Sequence, residues 1–131
     1  MKHKTIDPWG SGLLEDYEKI IKDFGLEVFD AKSFPDPNRL MRRNVVFAGR
    51  DLKVISDAIK NHKKYYVLSG IVPSNEKIHF GNKMVVENIK YFQEHHGHAY
   101  ILVADLEAAS ARGISLEDAK KMALDFHIPA Y

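Results

Sequence analysis

Val67-Leu68-Ser69-Gly70-Ile71-Val72-Pro73-Ser74-Asn75-Glu76-Lys77-Ile78-His79-Phe80-Gly81-Asn82 is the stretch on which the fold turns. An apolar strand ends at Ser69-Gly70, a Pro/Ser/Asn turn follows, and a helix opens at His79-Phe80-Gly81-Asn82. Glycine at 81 lets the backbone and a nucleotide approach closely. The free N–H groups and the dipole of a helix start favour phosphate. His79 is suited to donate a charge-assisted hydrogen bond to charge developing on that phosphate.

Working outward, residues 65–69 are apolar throughout, as a parallel strand buried on both faces would be. Residues 81–95 form a helix with Met84, Val85, Ile89 and Phe92 inward, and Gly97 ends it. Residues 99–104 are a second buried strand. Strand, helix and strand make one right-handed crossover unit. Such units bind ligands beyond the carboxyl ends of their strands. Both strand ends carry polar signals, Ser69-Gly70 on the first and Asp105 and Glu107 on the second.

Upstream, Asp7-Pro8-Trp9-Gly10 forbids regular structure, so residues 1–12 read as an irregular arm with Trp9 as a packing anchor. Leu14, Tyr17, Ile20, Ile21 and Phe24 have helical spacing, and Gly25 ends that helix. Phe34-Pro35-Asp36-Pro37-Asn38 is a breaker, with a short helix around 39–42. Residues 45–48 are apolar but too short to assign. Asp51 reads as the N-cap of a helix through 61 with Leu52, Ile55 and Ile59 on one face. Downstream, Ser115-Leu116-Glu117-Asp118 resembles a capping box with Asp in the usual Glu place, opening a helix to about 126.

The 131 residues suffice for one domain. A net charge of +1 gives no global case for nucleic acid. The absence of cysteine excludes disulfides and thiolate metal sites and fits a cytoplasmic protein. No run approaches the length of a membrane span, and no apolar segment follows the basic Met1-Lys2-His3-Lys4 to make a secretory signal.

Pro73 followed by His79-Phe80-Gly81-Asn82 after a strand resembles the first signature of class I aminoacyl-tRNA synthetases, His-Ile-Gly-His with Asn as a known last-place variant. Asp7-Pro8-Trp9, Leu40-Met41-Arg42-Arg43, Phe47-x-x-Arg50-Asp51 and Ala58-Ile59-Lys60-Asn61 resemble, in order, the N-terminal region of archaeal and eukaryotic tryptophanyl-tRNA synthetases. Tyrosyl-tRNA synthetase shares the crossover, and Ala104-Asp105-Leu106-Glu107-Ala108 suits either family. The arm, the Arg42-Arg43 segment and the longer gap from Pro73 to His79 favour the tryptophan family. That family's eukaryotic members carry Tyr before the Ser/Thr-Gly step and Gln near the end of the second strand. Here those positions are Leu68 and Leu102, and a turn Arg is Ile71.

The resemblance implies an α/β fold. Residues 63–131 would be the first half of a Rossmann-like parallel nucleotide-binding domain, and 1–62 an N-terminal arm and helical extension. It implies ATP-dependent activation of tryptophan and its ligation to tRNA(Trp), with magnesium held mainly by ATP and a homodimeric parent enzyme. His79 and Asn82 would be catalytic. Pro73, Ser74, His79, Gly81 and Asn82 would bind ATP. Leu68, Gly70, Leu102 and Glu107 would line the amino-acid site, with Glu107 on the ammonium group or, equally, at the start of a helix after the second strand. The family's Lys-Met-Ser-Lys-Ser-type loop has no counterpart in the sequence. The expectation is therefore an N-terminal catalytic piece that binds ATP weakly and charges tRNA at background rates. A tyrosyl-tRNA synthetase piece and a catalytically dead nucleotide-binding or interaction module are the alternatives.

Two further clusters have plain readings. His95, His96 and His98 sit at a helix end, where histidine complements the helix C-terminus, and they read as a solvated cap with no metal. Arg39, Arg42, Arg43, Arg50 and Lys53 read as a solvated, ion-paired face before an RNA contact, since no aromatic residues are interleaved among them.

Overall fold

The computed structural model describes residues 17–128. The arm at 1–12, with Trp9, and Leu14 of the first helix lie outside them. In chain order the elements are α1 (Tyr17–Asp23), β1 (Glu27–Val28), a 3-10 turn (Ala31–Ser33), α2 (Arg39–Arg42), β2 (Ala48–Gly49), α3 (Leu52–Lys60), β3 (Tyr66–Ile71), α4 (Phe80–Glu94), β4 (His98–Val103), α5 (Asp105–Arg112) and α6 (Leu116–Met122). A π-helical turn, Ala123–His127, follows directly on α6.

β3 and β4 pair in parallel, with Tyr66 opposite His98, Gly70 opposite Leu102 and Ile71 opposite Val103. Their connection runs through α4, as the crossover reading requires. β3 runs two residues further than the sequence suggests, so Gly70 lies inside the strand and not at its end. The expectation of burial on both faces is overturned. Exposure alternates along both strands: Tyr66, Leu68, Tyr100 and Leu102 are 57–72% exposed, while Ile71 is buried. α4 covers one face of the pair, and no described residue covers the other. An apolar composition says that both faces tolerate burial, not that both are covered.

α4 is packed on two sides. Ile89 is buried, and Val85 and Phe92 are half-buried. Met84, expected inside, is 37% exposed. Tyr91 is buried instead, and its hydroxyl donates to the Pro35 carbonyl at 2.5 Å. The core joins Phe29, Phe34, Met41, Ile59, Tyr65 and Tyr91, so it draws on residues from both sides of position 62. Leu52 and Ile55 pack against it from α3.

The helix ends are built by different residues from those the sequence suggests. His96, at φ 69°, supplies the left-handed turn after α4. Gly97 has another role: a Cβ there would lie 2.6 Å from the Tyr65 ring and 2.8 Å from the Phe92 carbonyl. That close approach lets the Tyr65 hydroxyl donate to the carbonyls of Phe92 and His95, both at 2.8 Å, closing the C-terminus of α4. Asp51 does sit before α3, but in a left-handed conformation at φ 51° with no side-chain cap, so only its carbonyl starts the helix. Gly25 ends α1 at φ 59° as expected. Ser115 caps α6 through Asp118 N at 3.0 Å, and its hydroxyl donates to the Asp118 carboxylate at 2.6 Å. The 45–48 stretch contributes to a small two-stranded antiparallel sheet, in which Val28 pairs with Ala48. α5 carries Glu107 in its first turn, in line with the helix start that the sequence offers beside an ammonium contact. It packs on α6, and Ala108 of α5 and Ala119 of α6 are both fully buried.

Burial, with the neighbouring Tyr65 and Asp36, pushes the Tyr91 phenol up to about 12. An unfolded tyrosine ionises near 10. The folded chain therefore keeps a proton that the unfolded chain releases, and stability falls as pH climbs from 10 towards 12. Tyr91→Phe is expected to cost about 1 kcal/mol at pH 8 through the lost hydrogen bond, and to flatten the alkaline fall. Urea midpoints at pH 8 and pH 11 measure both effects.

Candidate functional site

Parallel pairing brings both strand-to-helix junctions to the same edge of the sheet. After Ile71 the chain turns at Pro73, whose side chain is fully buried, and Ser74 N donates to the Val72 carbonyl at 2.9 Å. Asn75, Glu76 and Lys77 are exposed, and α4 begins after His79. At the second junction Ala104 follows β4 and donates its N–H to the Ile71 carbonyl at 2.8 Å. The end of β3 is thus tied to the start of α5.

His79 is the N-cap of α4. Its Nδ1 accepts from Asn82 N at 3.4 Å, a long bond. A nitrogen that accepts carries no proton, so in this arrangement the ring proton is on Nε2 and is available as an outward donor. Gly81 makes that ring position possible: a Cβ there would sit 3.0 Å from both Cε1 and Nδ1 of His79. His79, Gly81 and the Asn82 N–H thus form one local unit. His79, Phe80 and Gly81 are exposed, leaving the helix start open to solvent.

The amino-acid candidates divide between two places. Leu68, Gly70 and Leu102 lie together on the open face of the sheet, with Gly70 and Leu102 directly paired. Gly70 leaves a flat spot there, since a Cβ would find nothing nearer than the Leu102 carbonyl at 3.9 Å. Glu107 lies half-buried in the first turn of α5, at the same strand edge. Asp105 is the first residue of α5, its carboxylate accepting from Leu106 N at 2.8 Å.

The basic residues are largely occupied by local partners. Arg39 makes a two-pronged ion pair with Glu87 at 2.7 and 2.8 Å, which holds the Glu87 carboxyl below its usual range. Arg42 donates to the Pro37 carbonyl and Arg50 to the Phe24 carbonyl. Lys53 pairs with Asp57. His95 Nδ1 lies 2.7 Å from the Tyr91 carbonyl, His96 packs on His62, and His98 packs on Tyr66. Among the described residues no group of three or more His, Asp or Glu is arranged to hold a metal. None of the described helices is long and apolar enough to cross a membrane.

One residue at this edge has no signal in the sequence. His127, 2% exposed, ends the π-helical turn, and its Nε2 meets the Asn75 carbonyl at 2.8 Å. The contact spans 52 residues, and neither periodicity nor motif spacing points to it.

Residues 60–125, half of the chain, match the family model described as tRNA synthetases class I (W and Y). The chain belongs to that family. It is 39% identical over its whole length to the tryptophan–tRNA ligase of Methanocaldococcus jannaschii. It is 38% identical over 93% of its length to tryptophan–tRNA ligase 1 of Halobacterium salinarum. It spans 36% and 24% of the lengths of those two relatives. The tryptophanyl-tRNA synthetase of Encephalitozoon cuniculi, solved bound to tryptophan, superposes with a TM-score of 0.73 at 30% identity, covering 82% of this chain and 34% of that one. The mixed helix and parallel-sheet architecture is thus that of a tryptophanyl-tRNA synthetase Rossmann-like domain.

Gly81→Ala separates helix stability from the geometry of this class I signature. Alanine gains about 0.5–1 kcal/mol of helix propensity and displaces a cap worth about 1 kcal/mol. The melting temperature is expected to stay within a few degrees of wild type. The His79 imidazole resonances are expected to shift as the ring leaves Asn82. Thermal melts and histidine-ring NMR read the two effects independently.

Proposed function

We propose that this chain carries the nucleotide signature and the amino-acid platform of a tryptophan-activating site in a tryptophan–tRNA ligase. The observation that carries the reading is the position of His79 and Gly81 at the open start of α4, beside the carboxyl edge of the parallel pair. The names of the two relatives described above, both tryptophan–tRNA ligases, favour tryptophan over tyrosine within the family.

In this reading the amino-acid carboxylate attacks the α-phosphorus of ATP, and pyrophosphate leaves. The chain's share is positioning and stabilisation of phosphate charge by the α4 N–H groups and the Nε2–H of His79. The absence of a side chain at 81 lets the His79 ring lie against the helix start, and Asn82 supports the ribose or a phosphate. Ser74 lines the phosphate end, and buried Pro73 shapes the loop. Magnesium would accompany ATP and be held mainly by its phosphates. The indole lies on the flat spot at Gly70 between Leu68 and Leu102, and Glu107 faces the ammonium group. The parent enzyme transfers tryptophan to tRNA(Trp) as a cytoplasmic homodimer.

Titrations followed by NMR test this. Magnesium-ATP is expected to shift the amides of residues 79–83. Tryptophan is expected to shift the methyls of Leu68 and Leu102 by its ring current. His79→Ala is expected to weaken ATP binding about tenfold, the loss of one hydrogen bond to a charged group. Methyl shifts with tyrosine and not tryptophan would move the chain to the other branch of the family. Unmoved amides at 79–83 would remove the nucleotide from this site.

A further inference from the structure

The loop between β3 and α4 is held lightly by its own backbone. Within residues 72–79 the loop's backbone bond is Ser74 N to the Val72 carbonyl. A second hold comes from outside. His127 is 2% exposed, and its Nε2 lies 2.8 Å from the Asn75 carbonyl. A carbonyl can only accept, so Nε2 donates and carries the proton.

His127 stands at the end of a continuous structural path. β4 leads into α5, which carries Glu107. α5 packs on α6, and α6 runs into the π-helical turn that ends at His127. The amino-acid wall and the nucleotide loop are therefore joined twice. Ala104 N joins them to Ile71 at the sheet edge, and His127 joins them to Asn75 four residues before His79. A π-helical insertion shifts the register of the residues after it, and such insertions recur at functional sites. Here it delivers a ring nitrogen to a carbonyl in the signature loop.

We propose that His127 is a positioning residue that sets the signature loop, and with it His79, against the wall carrying Glu107. It touches no substrate. It acts by ordering the loop before ATP arrives, so that binding free energy is not lost to ordering it afterwards. This rests on the nucleotide-binding reading of the signature.

The test compares two side-chain amides of different reach in the full chain. The amide nitrogen of Gln occupies about the position of an imidazole Nε2, while Asn is one methylene shorter and cannot reach the Asn75 carbonyl. His127→Gln is expected to keep wild-type backbone order parameters over residues 74–79 and wild-type affinity for magnesium-ATP. His127→Asn is expected to lower those order parameters and to weaken ATP binding about fivefold to tenfold, the loss of one hydrogen bond. Melting curves show whether each variant is folded. Equal behaviour of the two variants, whether both like wild type or both impaired, overturns the proposal. Loop loosening confined to His127→Asn, together with no ATP binding by the wild type, supports the tether and overturns the nucleotide reading alone.

Discussion

The parallel pairing of β3 with β4 is the constraint on which the rest depends. An antiparallel pair would place the two strand-to-helix junctions at opposite edges. The parallel pair puts the signature loop and the start of α5 side by side, where Ala104 N bonds the Ile71 carbonyl. The pairing needs a crossover, and the crossover needs α4 to stop cleanly before β4. Tyr65 and Gly97 meet that need. The phenol closes the last carbonyls of α4, and only a residue without Cβ lets its ring approach. Because Tyr65 directly precedes β3, one side chain ties the beginning of the first strand to the turn that begins the second.

The same geometry explains why the functional candidates form two groups. His79, Gly81 and Asn82 are a local unit at a helix start, with the helix dipole and free N–H groups behind them. Leu68, Gly70 and Leu102 are a non-local unit, assembled by register across two strands and made flat by the glycine. Glu107 belongs to neither and reaches the edge through α5. An aminoacyl adenylate has three corresponding parts: nucleotide, side chain and ammonium group. In the reading proposed above, the helix start would meet the nucleotide, the open face the side chain, and Glu107 the ammonium group.

The crossover was legible in the sequence because two apolar runs, separated by an amphipathic helix with polar signals at each strand end, admit few other topologies. The first signature was legible because its chemistry is local. What was not legible depended on neighbours in space. The open face of the sheet is as apolar as the covered one, so exposure of Leu68 and Leu102 could not be read from composition. Tyr91 was missed because α4 has a second buried side, facing Pro35, that one-stripe periodicity does not represent. α5 was legible only as an alternative helix start at Glu107, because Ala-Ala-Ser-Ala offers no large apolar stripe. The Asp51 cap failed because the chain enters α3 left-handed. His127 had no local pattern at all, since its contact depends on the π-helical turn and on a loop 52 residues away.

A structure of this chain with ATP bound tests the central claim most directly. The account predicts the phosphates at the start of α4, within hydrogen-bond distance of His79 Nε2 and the first N–H groups of the helix. Two grooves elsewhere provide the contrast. One of about 440 Å³ is lined by Asn38, Lys83, Glu87, Lys90, Tyr91 and Glu94. The other, about 380 Å³, lies between β1 and α3, with Ser33, Ser56 and Asp57 in its wall. A nucleotide seated in either groove, with the start of α4 unoccupied, would contradict the account.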